Sequence, residues 1–277
     1  MAVTAIALIA VFAWNKIGPA IDPHAGQVQV YDGFDWVWMT PYSNVPVNDL
    51  AEKDFAMLDS IPTYSGIRYS VSRGIDVSEH QQTIDWRSVA ASGIDYAYLR
   101  AGRRGYTEGG LFDDSRFVEN ARGCAEAGIP IGVYFFSQAI TVGEAIEEAN
   151  YVVNLIRGNG VTTDLPVVFD WEKIPDEPAR TDGLGMDALT DCAIAFCETV
   201  KSYGYEACIY FNRNVGYYGF DLSRLTEYTW WFSLPEFTYP SFYYAVDMWQ
   251  YSFTAVIPGI STPVDVNLWF KPILEQN

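Results

Sequence analysis

Residues 165–173 read LPVVFDWEK. An apolar run, Val167, Val168 and Phe169, ends in two acids separated by one tryptophan. Strand side chains alternate between faces, so Asp170 and Glu172 point the same way, with Cα atoms roughly 7 Å apart, while Trp171 points into the core. Acids are poor residues for a strand interior. Two of them on one face at the C-terminal end of an apolar strand are costly unless they are used. Like charges that close push one pKa upward, which leaves one carboxyl protonated and the other ionised. Such a pair is the equipment for cleaving a glycosidic bond. The plainer reading of the stretch alone places both acids in solvent, where the strand frays into IPDEP.

The surrounding pattern sharpens this. From Arg73 apolar strands alternate with helices: GIDVS, IDWRSVAASG, DYAYLRAG, DSRFVENARGCAEAG, IPIGVYFFSQ, TVGEAIEEANYVVNLIRGNG, LPVVFDWE, MDALTDCAIAFCETVKSYG and EACIYFN. Each helix ends at a glycine suited to its C-terminal cap, Gly93, Gly128, Gly158 or Gly204. Such alternation predicts a parallel sheet, and five βα units suit a barrel. After Asn212 three aromatic strands, EYTWWFSLP, YYAVDMWQYS and PVDVNLW, leave no room for crossover helices. The predicted fold is an α/β, irregular TIM-like barrel of five βα units plus three further strands, over 73–277.

In such barrels the site lies at the C-terminal ends of the strands. There the sequence places Asp76, then Arg100, then Tyr134 and Phe136, then Asp170 and Glu172. Tyr210 and Asn212, Trp231, Trp249 and Gln250, and finally Asp265 and Asn267 complete the ring. Four carboxylates, a cation and many aromatics converge on one mouth, which is the constellation of a catalytic site. Each has a duller counterpart: Asp76 as a turn cap, Arg100 as an ion-pair partner, Trp249 and Tyr134 as barrel packing.

The ends and the composition set bounds. The chain has 277 residues, 49% hydrophobic and 16% aromatic, enough for one core and marginal for two. A net charge of −18 argues against nucleic acid, whose phosphates it would repel. Residues 2–14, AVTAIALIAVFAW, are apolar but too short for an ordinary span. Residues 1–17 are therefore expected to be a signal or membrane-anchor segment, with membrane tethering through 1–14. Residues 18–72 are expected to form a stalk or packed extension, with a small hairpin near Val28 and Val30 and a short helix over 49–58. Cys124, Cys192, Cys197 and Cys208 lack zinc spacing and read as small buried hydrophobes, with a disulfide left open. His24 and His80 belong to no ligand constellation.

The residues just quoted carry a resemblance. GIDVSEHQQTIDW at 74–86, RAG at 100–102, GVYFFSQA at 132–139, VVFDWE at 167–172, WQYS at 249–252, IPGIS at 257–261 and VDVN at 264–267 stand in order. Together they resemble the lysozymes of glycoside hydrolase family 25, the Chalaropsis-type muramidases of bacteria, phages and some fungi. The resemblance implies hydrolysis of the β-1,4 bond between N-acetylmuramic acid and N-acetylglucosamine, outside the cell or at its surface, by a monomer. Its expected partner is the peptidoglycan glycan strand, with no metal and no cofactor. By position Glu172 would be the general acid, and Asp170 would steady the developing positive sugar or its 2-acetamido group. Asp76 and Asp265 would complete the acidic floor. Arg100, Tyr134, Phe136, Tyr210, Trp231, Trp249, Gln250 and Asn267 would bind substrate. Whether a carboxylate, the substrate's acetamido oxygen or water attacks stays open, as does retention against inversion.

The segment YTWWFSLPE around Trp231 is less polar than its counterparts in relatives. No wall-binding repeat follows the barrel, so affinity is expected from the barrel or from tethering. A chitinase-like barrel would need Asp at 165 and 168, where the chain has Leu165 and Val168. A non-catalytic wall-binding barrel is the rival of another class, and the intact quartet of acids speaks against it.

Overall fold

Two hairpins precede the main sheet in a computed structural model that describes residues 22–58 and 61–273. The expected apolar segment at 1–17 therefore lies outside the described residues. β1 (Val28–Tyr31) pairs antiparallel with β2 (Trp36–Met39), and β3 (Phe55–Leu58) with β4 (Ile61–Tyr64). The helix expected over 49–58 is only a 3-10 turn, Glu52–Asp54, followed by β3. Tertiary contact overrides the helical pattern: Phe55 packs edge-on against Trp249 and Phe270. Around this segment Val45 and Leu50 join the main core, and Asn48 donates to the carbonyls of Pro240 and Phe242.

The barrel begins at Tyr69, so its first strand runs across the boundary expected at Arg73. Its strands are β5 (Tyr69–Val77), β6 (Tyr96–Arg104), β8 (Ile131–Ser137), β9 (Val167–Trp171), β10 (Ala207–Asn212), β11 (Thr229–Ser233), β12 (Met248–Ala255) and β13 (Val264–Pro272). A side strand, β7 (Leu111–Asp113), pairs with the end of β6. Neighbours from β5 to β12 pair parallel, and β13 closes the ring by pairing antiparallel with both β12 and β5.

The crossovers are α1 (Trp86–Ala91), α2 (Phe117–Ala127), α3 (Val142–Gly158) and α4 (Met186–Ser202). After β10 a π-turn at Val215–Gly219 and a 3-10 turn at Leu222–Arg224 stand where the fifth helix was expected. Gly93, Gly128 and Gly204 take positive φ just past their helices; after α3 it is Gly160 that does so, because Gly158 still belongs to the helix. α3 buries Ala145, Ala149, Val152, Val153 and Ile156, the face expected of a helix on a sheet. Glu148 interrupts that face and is neutralised by Arg104 Nε at 2.7 Å and the Ser137 hydroxyl at 2.6 Å.

Strand alternation then sorts the barrel into two cores. Outward-facing Val167, Phe169 and Trp171 meet the helices, whereas Tyr96, Tyr98, Val168, Cys208, Tyr210, Trp231 and Met248 fill the lumen. All four cysteines are buried and free.

Candidate active site

The lumen filling stops short of the C-terminal strand ends, leaving a cavity of about 210 Å³. Asp76, Asp170, Glu172 and Asp265 all line it. β9 brings Asp170 as its last inward position, Glu172 follows directly after the strand, and β5 brings Asp76. Asp265 arrives from the beginning of its strand, not the end, because β13 runs against its neighbours. It stands directly opposite Asp76 in the β13–β5 register.

The four acids differ in their surroundings. Asp76 Oδ2 accepts 2.9 Å hydrogen bonds from the amides of both Gln250 and Asn267. Burial raises the Asp76 pKa to about 6, against the pull of those two donors. Glu172 is raised to about 7 by burial and by Asp76. Burial, then Asp76 and Glu172, lift Asp265 to about 8. Asp170 is buried, its Oδ1 has no partner, and burial with Glu172 pushes its carboxyl well above the usual range. The cavity can therefore hold a protonated acid beside an ionised one near neutrality, which is what proton transfer to a leaving oxygen requires.

Two layers hold this arrangement. Below the acids, Tyr210 donates to Gln250 Oε1 at 2.7 Å and Trp231 Nε1 to Asn267 Oδ1 at 2.9 Å. Behind Glu172, the Gln138 amide donates to its backbone carbonyl at 2.9 Å and accepts from the Thr181 hydroxyl at 2.9 Å. Arg180 bonds Glu144 and the Gln138 carbonyl, tying the loop after β9 to the start of α3.

Arg100, Tyr134, Phe136, Tyr210, Trp231 and Gln250 also line the cavity. Arg100 is held by Asp114 at 2.8 Å and Glu79 at 3.2 Å, with Arg103 on the same glutamate. Asn267 lies one layer beneath the cavity, fully buried, and touches its lining through Asp76 and Trp231. Trp249 is a correction: it faces the outer core, where its Nε1 donates to the Leu234 carbonyl at 3.0 Å. Adjacent strand residues point to opposite faces, so Gln250 inside puts Trp249 outside. Asn212 accepts from the Val215 amide and starts the turn after β10. Ser78, His80 and Gln81 line the mouth as well; of these only His80, just past DVSE, reads from the sequence as a residue that could reach a rim. Ser78 and Gln81 form the capping box of the 3-10 turn Glu79–Gln81, and S-x-x-Q is its sequence signal.

A barrel whose mouth collects four carboxylates, two of them buried, is the arrangement that acid–base cleavage of a glycosidic bond calls for. The chain belongs to glycosyl hydrolases family 25, whose sequence profile matches residues 75–260. It is similar to lysozyme M1 of Streptomyces globisporus, 30% identical over 206 residues that cover 70% of this chain and 66% of that protein. The autolytic lysozyme of Clostridium acetobutylicum is 26% identical over 203 residues, covering 73% and 57%. The chain thus spans less than two thirds of either relative's length. Among solved structures, the bacterial lysozyme from Streptomyces coelicolor superimposes with a TM-score of 0.57 at 27% identity, covering 72% of this chain and 91% of that one.

Proposed function

We propose that this chain is a muramidase that cleaves the β-1,4 bond between N-acetylmuramic acid and N-acetylglucosamine in peptidoglycan. The observation that carries the reading is Glu172, enclosed at the cavity mouth with its pKa raised to about 7 beside three aspartates. Glu172 gives its proton to the bridging oxygen as the bond to the anomeric carbon breaks, and water supplies the hydroxyl that ends on that carbon, its other proton returning to the carboxylates of the site. Asp76, held as the anion by two amides, supplies negative charge against the oxocarbenium-like sugar. Asp170, as its acid form, would hold the 2-acetamido group, and Asp265 completes the acidic floor opposite Asp76. Tyr134, Phe136 and Trp231 shape the apolar wall, and Arg100 fixes the rim through Glu79 and Asp114.

All four acids come from one chain, so a monomer suffices. The catalytic unit starts with β5 at Tyr69, the hairpins before it pack on the barrel, and its place of work is the wall, outside the cell or at its surface. Tethering through 1–14 belongs to the same reading. Among the described residues no helix is long and apolar enough to cross a membrane.

The test is release of reducing ends from purified peptidoglycan, with Glu172→Gln as control and mass analysis of the products. Muramic acid at the new reducing end is expected, with turnover reduced at least ~10³-fold in the variant. Turnover that is the same in Glu172→Gln as in the wild type, or activity on chitin oligomers alone, would sink the assignment.

A further inference from the structure

We propose that the outward face of the β1–β2 hairpin is a second glycan-binding site, which takes the same N-acetylhexosamine strand as it leaves the cleavage cavity. The inference rests on the muramidase reading for the identity of the strand. The hairpin lies before residue 75, outside the stretch matched by the family profile.

Alternation gives the hairpin two unlike faces. Val28, Val30, Val37 and Met39 form one, with Val30 buried and Met39 against the main core. Gln29, Tyr31, Trp36 and Trp38 form the other. Trp36 is 66% exposed, Trp38 45%, and Phe34 at the turn 78%. Contiguous apolar surface of this kind, bordered by polar groups, marks an interaction site rather than packing. The rings are also held in place. His24 stacks on Trp38 at 4.1 Å and 10° between planes, and Tyr31 leans on Trp36 at 5.8 Å. At the turn, Asp32 Oδ1 accepts from the amides of Phe34 and Asp35, and its Oδ2 from the Tyr218 hydroxyl at 2.7 Å.

Arg213 fixes where this face stands. Its guanidinium lies 5.3 Å from the Tyr31 ring and 4.6 Å from the Phe237 ring, and it donates to the Ser241 hydroxyl at 2.7 Å. Arg213 directly follows β10, and Phe237 and Ser241 belong to the loop leaving β11. These are the two strands whose Tyr210 and Trp231 wall the cavity. The hairpin is therefore stapled to the mouth end of the barrel. A cavity of about 210 Å³ admits only a short piece of a polymer, so the rest of a bound strand must cross the rim.

The chemistry suits a sugar ring. The flat, fixed indoles match the C–H face of a pyranose ring, and the Gln29 amide beside them can serve an acetamido or hydroxyl group. Asp22, Asp32 and Asp35 border the face, and the chain carries a net −18, both unfavourable to anionic lipid headgroups.

The test compares the full chain with Trp36→Ala/Trp38→Ala, its fold checked by circular dichroism. Retention on insoluble peptidoglycan is measured alongside cleavage of a short soluble glycan fragment and partition onto phosphatidylcholine and phosphatidylglycerol vesicles. Retention is expected to fall about 10-fold, with cleavage of the short fragment unchanged and Trp36→Phe/Trp38→Phe nearly wild type. Unchanged retention overturns the proposal, as does a loss confined to vesicles. Retention needs no turnover, so a chain that binds through the hairpin but releases no reducing ends would refute the muramidase reading alone.

Discussion

Asp76 and Glu172 differ by one detail that separates their proposed roles: Asp76 Oδ2 receives two amide hydrogen bonds, whereas no side chain in the described residues donates to the Glu172 carboxyl. Donors favour the charged form, so Asp76 ionises at about 6 and Glu172 holds its proton to about 7. Activity on soluble glycan fragments is accordingly expected to peak between those values. It falls below as Asp76 is neutralised and above as Glu172 loses its proton, which a kcat/KM profile against pH reads directly. Asn267→Ala removes one of the two donors, so the acid limb should move to higher pH by about one unit. The same change strands the Trp231 indole N–H and should cost about 1–3 kcal/mol of stability, measured by urea unfolding. An acid limb that stays in place would show that Asp76 is not the group titrating there.

At the scale of elements, Gln138 joins β8 to the loop that follows Glu172. The loop has no regular structure, and Gln138 with Arg180 supplies side-chain anchors for it. Gln138→Ala is expected to lower kcat about 10-fold with KM little changed, and to cost about 1–2 kcal/mol in unfolding. A uniform rise in KM would point instead to lost substrate contact. Sequence reading reached the strands and their inward acids because apolar runs and period-two alternation are local signals. It did not reach the Gln138 bridge, whose bond to Glu172 spans 34 positions, and it offered Arg100 as an ion-pair partner without reaching Glu79 and Asp114. Trp249 was assigned to the mouth beside Gln250, although neighbours on a strand cannot share a face. The helix expected over 49–58 failed for a different reason: its pattern was outweighed by Phe55 docking on Trp249 and Phe270.

For the whole molecule, the mouth stores an electrostatic penalty. Glu172 moves from 4.5 to about 7 on folding and Asp265 from 3.8 to about 8. Between those ordinary and shifted values the folded chain binds protons that the unfolded chain has released, so stability falls as pH rises. Unfolding free energy is expected to be larger at pH 5.5 than at pH 8. Glu172→Gln should narrow the gap by about 1–2 kcal/mol, read from denaturant curves at both pH values. A gap that Glu172→Gln leaves unaltered would place the titration elsewhere. The antiparallel closing strand has another consequence, for the moment at which the protein becomes active. Because β13 both seals the ring against β5 and delivers Asp265 opposite Asp76, a nascent chain still short of residue 264 has neither a shut wall nor a full acid quartet. On the proposed function, cutting power thus waits until β13 has been made and has docked against β5.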